Sequence, residues 1–161
     1  MNPPVDQLCA HIASLRRYAM ALTGDPVEAD DLVQTSLERA LTHMRNGTSI
    51  HNLRGYLFST LHNVRMTDLR RNANCVDNLE RNRLVGHLSC KPVQHHHAEA
   101  NAILRTLRTL TEAQREVILL VCVEGFTYKE AAAALGVPIG TVMSRLSRGR
   151  AALIERVSRE G

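Results

Sequence analysis

At 161 residues, 44% hydrophobic and 22% charged, the chain can form one ordinary domain or two small ones, and it is too short for an eight-fold α/β barrel of roughly 250 residues. Aromatic residues make up only 3% and Trp is absent, which favours a core of aliphatic side chains on packed helices. The net charge of +4 is unevenly spread: −3 over residues 1–37, +4 over 38–90 and +3 over 91–161. An anionic partner met by the middle and end of the chain is one reading of that spread; ordinary surface chemistry is the other.

Residues 6–23 form the first predicted helix, with Leu8, Ile12, Leu15, Ala19 and Leu22 at helical spacing, ended by Gly24-Asp25-Pro26. The second runs from about Pro26 to Met44 with Val33, Leu37, Ala40, Leu41 and Met44 on one face, and Asn46 to Ser49 break it. A third extends from about Leu53 to Arg71 on Leu53, Leu57, Leu61 and Val64. No basic start precedes an apolar stretch and no 18-residue apolar run exists, so neither a secretory signal nor membrane insertion is expected, and the chain is expected in the cytoplasm.

Periodicity fails between Asn72 and about Ala98, where Asn, Asp, Arg, Gly, Pro and His dominate. A structureless stretch of that length suits a flexible linker between two domains better than a loop inside one. The spacings of Cys9, Cys75, Cys90 and Cys122 contain no CxxC pair, and Cys90 with His95, His96 and His97 reads as linker rather than metal site, because three consecutive imidazoles cannot converge on one ion. No metal and no cofactor are expected.

Helical signals resume at Glu99, and Thr111-Glu112-Ala113-Gln114 has the form of a capping box. The segment TYKEAAAALGVPIGTVMSRLSRGR, residues 127–150, has the form of a helix-turn-helix: small residues Ala131 to Ala134, a turn at Gly136, and Pro138 opening the next helix. On that helix Val142, Leu146, Gly149 and Leu153 share a sector of about 60°, while Thr141, Ser144, Ser147 and Arg148 lie opposite, with Arg145 and Arg150 at the edges. No acid lies between Glu130 and Glu155, so the outward face suits the major groove, where Arg meets guanine acceptors or phosphates.

Residues 110–153, with GTVMSRLSRGR at their centre, resemble region four of bacterial sigma factors of the extracytoplasmic-function (ECF) type. Residues 15–41 resemble region two, including an Asp-x-x-Gln at Asp31 and Gln34, and residues 52–71 resemble the helix that follows. The resemblance implies an all-α fold: a region-two-like domain over 1–72, a linker over 73–98 and a region-four-like helix-turn-helix domain over 99–161. It implies three partners: RNA polymerase core, through its clamp helices and flap; promoter DNA; and an anti-sigma factor.

By the same resemblance, Thr141, Met143, Ser144, Arg145, Ser147, Arg148 and Arg150 face the minus-thirty-five element. Arg45, Asn46, Ser49, Asn52, Tyr56, Ser59, Asn63, Arg65, Arg70 and Arg71 face the minus-ten element, the loop over 45–52 capturing a flipped base. Asp31, Gln34 and Glu38, which project together away from the apolar stripe, dock on the clamp helices. Gly55-Tyr56 stand where Trp is common in such helices, and Tyr56 and Phe58 are either stacking platforms or core residues. No nucleophile with a base at motif spacing, phosphate loop or paired acids in an apolar setting points to an enzyme. The alternatives are a sigma mimic that sequesters an anti-sigma factor, and a helix-turn-helix repressor.

Overall fold

The computed structural model describes residues 3–76 and 97–160. Helix α1 spans Pro3–Thr23, α2 Pro26–Arg45 and α3 Leu53–Val76. After the undescribed stretch come α4 (His97–Arg108), α5 (Glu112–Ile118), which widens into a π-helical turn over Leu119–Val123, then α6 (Tyr128–Leu135) and α7 (Ile139–Glu160). The described residues contain no strand, and none of their helices is long and apolar enough to cross a membrane. Helix α3 runs five residues past its expected end. Of the linker expected over 73–98, residues 73–76 instead continue α3 and 97–98 open α4, while 77–96, with Cys90, His95 and His96, lie outside the described residues.

Local chemistry explains the boundaries. Asp25 caps α2 by accepting from the Val27 and Glu28 amides, with Pro26 just inside, where a missing amide costs nothing. The capping box read from the sequence at Thr111 and Gln114 forms, and a second one, Thr127 with Glu130, opens α6. Gly136 ends α6 at φ 63°, a left-handed conformation that a side chain would strain, and so turns the chain into α7. Gly149 lets α7 approach α5 closely: a Cβ there would stand 2.6 Å from Ile118 Cδ1.

Helices α1 to α3 pack around Leu8, Leu15, Ala19, Leu22, Leu32, Val33, Ala40, Leu57, Leu61 and Val64. Helices α4 to α7 pack around Leu107, Val117, Leu120, Ala131, Leu135, Val142 and Leu146, with Leu153 partly buried against them. Ile12, expected on the apolar stripe of α1, is instead exposed over a shallow groove between α1 and α2. The two bundles also touch, chiefly through α3 against α6 and α1 against α5. Phe58 is 1% exposed and forms edge-on pairs with Tyr18 of its own bundle (5.2 Å) and Phe126 of the other (5.1 Å). Of the two readings of Phe58 the structure takes the core one.

The Tyr18 hydroxyl is buried without a hydrogen-bond partner among the described residues. Burial first, then the carboxylates of Glu116, Glu112 and Glu124, push its ionisation well above the usual tyrosine range, so it stays a neutral phenol. An unsatisfied buried hydroxyl costs about 1–3 kcal/mol. Tyr18→Phe is therefore expected to leave stability unchanged or raise it by up to about 1 kcal/mol. A thermal melt checks this, and a clear loss would mean that the hydroxyl has a partner.

Candidate nucleic-acid and partner interfaces

The helix-turn-helix of α6 and α7 turns Val142, Leu146 and Gly149 inward and Ser147 and Arg148 outward as the sequence predicts, but Thr141 and Ser144, expected on the far side, sit nearer the edge. Val142, Leu146 and Gly149 face the core, while Ser147, Arg148 and Arg150 are exposed and Thr141, Ser144 and Arg145 are half-buried at the edge. The Ser144 hydroxyl donates to the Thr141 carbonyl at 3.1 Å, which ties it to its own helix. Arg148 makes no hydrogen bond or ion pair among the described residues, whereas Arg150 leans on Cys122 Sγ at 3.6 Å. Met143 is 51% exposed and shares a shallow groove with Tyr128, Ser147, Arg150 and Ile154, giving that edge an apolar character the sequence did not signal. Of the two acids that flank the segment in sequence, Glu130 is committed to its cap, where the Thr127 amide and then the Thr127 hydroxyl hold its carboxyl below the usual range, and Glu155 pairs with Arg159 at 2.6 Å. The outward face is therefore cationic.

On α2, Asp31, Gln34 and Glu38 are all exposed, and Gln34 Nε2 donates to Glu38 Oε1 at 2.9 Å, so amide and acid form one continuous polar face. Arg45 is exposed at the end of α2, and Asn46 and Ser49 are exposed on the loop after it. Asn52 is exposed, but its side-chain oxygen accepts from the Gly55 amide at 2.9 Å and starts α3. Tyr56 is half-buried and stacks on His43 (5.4 Å between centroids), lining a groove with Thr35, Glu38, Arg39, Thr42 and Asn46.

Along α3, Asn63, Arg70 and Arg71 are exposed and Met66 is half-buried. Ser59 lines a groove shared with Asn52, Tyr56 and the α6 residues Lys129, Ala133 and Ala134. Arg65 stands apart from them. It is 8% exposed and forms ion pairs with Glu28 of α2 and, at 3.2 Å, with Glu112 of α5, so in this arrangement it faces the other bundle and not solvent.

A charged seam between the bundles was not among the residues singled out from the sequence. Arg17 grips the buried Glu124 with two hydrogen bonds of 2.9 and 2.8 Å, and this pairing holds the guanidinium more firmly protonated. His62 Nδ1 lies 2.6 Å from Oε1 of Glu116, which is 2% exposed. Arg54 donates to the Glu124 carbonyl and lies over the Phe126 ring. Arg115 donates to the Leu22, Leu107, Arg108 and Leu110 carbonyls, binding the C-terminal ends of α1 and α4. One signal was present: Glu116 and Glu124 stand at the two ends of the apolar run VILLVCV, where an acid is buried only if it is paired.

The described residues thus form two helical bundles, one carrying a cationic helix-turn-helix and the other an acid-amide face, the layout of a helix-turn-helix protein. Residues 100–153 match the family model for region 4 of sigma-70, and residues 8–62 match that for the Sigma2 domain of PhyR. The chain is 36% identical over 148 residues to the ECF RNA polymerase sigma factor EcfG of Rhodopseudomonas palustris, covering 92% of this chain and 81% of that one. Its fold is similar to that of the sigma factor RpoE of Bartonella quintana, solved in complex with the anti-sigma factor NepR, with a TM-score of 0.84, 29% identity and 98% of each chain covered. It shares a fold, at a TM-score of 0.61 and 17% identity over 95% of this chain and 50% of that one, with the anti-anti-sigma factor PhyR of the same organism. The chain belongs to the ECF family of RNA polymerase sigma factors and is an alternative sigma factor.

Proposed function

We propose that the chain recruits RNA polymerase core to promoters by dividing the work between its two bundles. The α7 face of Thr141, Met143, Ser144, Arg145, Ser147, Arg148 and Arg150 reads the minus-thirty-five element. The loop over 45–52 and the α3 face of Tyr56, Ser59, Asn63, Arg70 and Arg71 read the minus-ten element, and Arg65 joins them when the bundles part. Asp31, Gln34 and Glu38 dock on the polymerase clamp. The observation that carries this reading is the cationic outward face of α7, whose Arg148 has no partner among the described residues and whose flanking acids are tied up, Glu130 in a cap and Glu155 with Arg159. An anti-sigma factor of the NepR kind controls the protein, which acts in the cytoplasm and performs no chemistry of its own.

A sigma mimic is the second reading, favoured by the match of residues 8–62 to the Sigma2 domain of PhyR. Transcription by core polymerase with the purified chain separates the two: promoter-specific transcripts support a sigma factor, and their absence supports the mimic. Replacing Asp31 and Gln34 together by Ala is expected to weaken core binding about five- to tenfold. Far-ultraviolet circular dichroism should not change, since both side chains are exposed. Equal affinity in a titration would remove the docking assignment.

A further inference from the structure

The outward face of α7 has two chemistries. At about 100° per residue, Ser144 and Arg148 fall about 60–100° to one side of Ser147, and Met143, Arg150 and Ile154 about 20–60° to the other. Thr141, Ser144, Arg145, Ser147, Arg148 and Arg150 all carry hydrogen-bond donors, and Met143 carries none. Met143 is nevertheless 51% exposed and shares a shallow groove with Tyr128, Arg150 and Ile154. It stands in the second turn of α7, and the N-terminal turns of the second helix of a helix-turn-helix are the part that reaches base edges. Ile154 lies about 16 Å further along the axis, and Ile139 lies about 40° further round toward the buried side, so neither is placed as Met143 is.

We infer that Met143 reads the C5-methyl group of a thymine in the minus-thirty-five element. The major groove displays hydrogen-bond donors and acceptors and one apolar group, and that group is the thymine methyl. A donor side chain gains nothing from a methyl, whereas an exposed thioether chain and a methyl both leave water when they meet. Met is unbranched and turns about several bonds, so its tip can follow a methyl over a range of positions. Its place at the edge of the face fits as well. The methyl projects at the margin of the groove beside the backbone of its own strand, and Met143 shares its edge with Arg150, whose guanidinium suits phosphate. The flanking acids that would repel that backbone are engaged, Glu130 with Thr127 and Glu155 with Arg159. Arg148, on the other side of Ser147, is left to read acceptors, so the two halves of the face report on different groups of the DNA. This rests on the reading of α7 as the minus-thirty-five surface.

The test uses the holoenzyme of the full chain with core polymerase, on a promoter that it transcribes. Each thymine of the minus-thirty-five element, on either strand, is replaced in turn by deoxyuridine, which removes the methyl and keeps every hydrogen-bonding group. One such replacement is expected to lower transcript output about three- to fivefold at limiting holoenzyme, the effect of one buried methyl, while replacements in the spacer change nothing. Met143→Ala should lower output from the thymine template by a similar factor and give equal output from the thymine and deoxyuridine templates. Arg148→Ala should lower output from both and keep the ratio between them. Indifference of the unaltered chain to every deoxyuridine overturns the inference when base-pair substitutions in the element still reduce output. If those substitutions have no effect either, the assignment of α7 itself has failed. A thymine-to-deoxyuridine ratio retained in Met143→Ala also overturns the inference, since another side chain then reads the methyl.

Discussion

Phe58→Ala is expected to cost about 3–5 kcal/mol of folding stability, the usual loss for a fully buried aromatic ring. Phe58 is 1% exposed, and its two edge-on ring contacts would both vanish. Such pairs add about 0.5–1.5 kcal/mol each beyond simple burial. The site cannot collapse easily, because Tyr18 on α1 and Phe126 on the loop before α6 lie on opposite sides of the ring, each buried in its own surroundings. For a chain of this size the melting midpoint should fall by roughly 10 °C. Urea denaturation measures the loss, and a value below about 1 kcal/mol would show that the ring is not part of a continuous core. Because Phe58 also touches the second domain, Phe126→Ala should loosen the closed arrangement while damaging the first bundle less.

Arg148→Ala should reduce output from cognate promoters by the equivalent of about 1–3 kcal/mol, the discrimination carried by a guanidinium that contacts a base edge. The side chain is exposed and free of ion pairs among the described residues, so its removal leaves the fold intact. Transcription with core polymerase from matched and mutated minus-thirty-five elements measures both the loss and its dependence on sequence. Output that is unchanged at normal protein levels would remove the assignment. Arg145→Ala and Arg150→Ala, at the edges of the same face, should instead weaken binding to all sequences alike and lower the salt slope by about one each, as phosphate contacts do.

The faces of single helices were legible in the sequence because they depend on spacing alone. Val142, Leu146 and Gly149 point inward, and Ser147 and Arg148 outward, for the reason that 3.6 residues make a turn. The Thr111 capping box and the Gly136 turn were legible because each is a local choice of the backbone. Motif order carried the family, and composition carried the helical class.

Contacts between distant residues were not legible. Arg65 lies near the polar side of α3 and reads as a DNA contact, yet Glu112, 47 positions later, and Glu28 claim it. Asn52 reads as a base contact and spends its oxygen on a helix start. Which bundle face meets which, and hence the pairing of Arg17 with Glu124 across 107 positions, was decided only by the tertiary structure. Helical periodicity states which side of a helix is buried but not against what. An ion pair is specified by charge and distance, and distance exists only once the chain has folded.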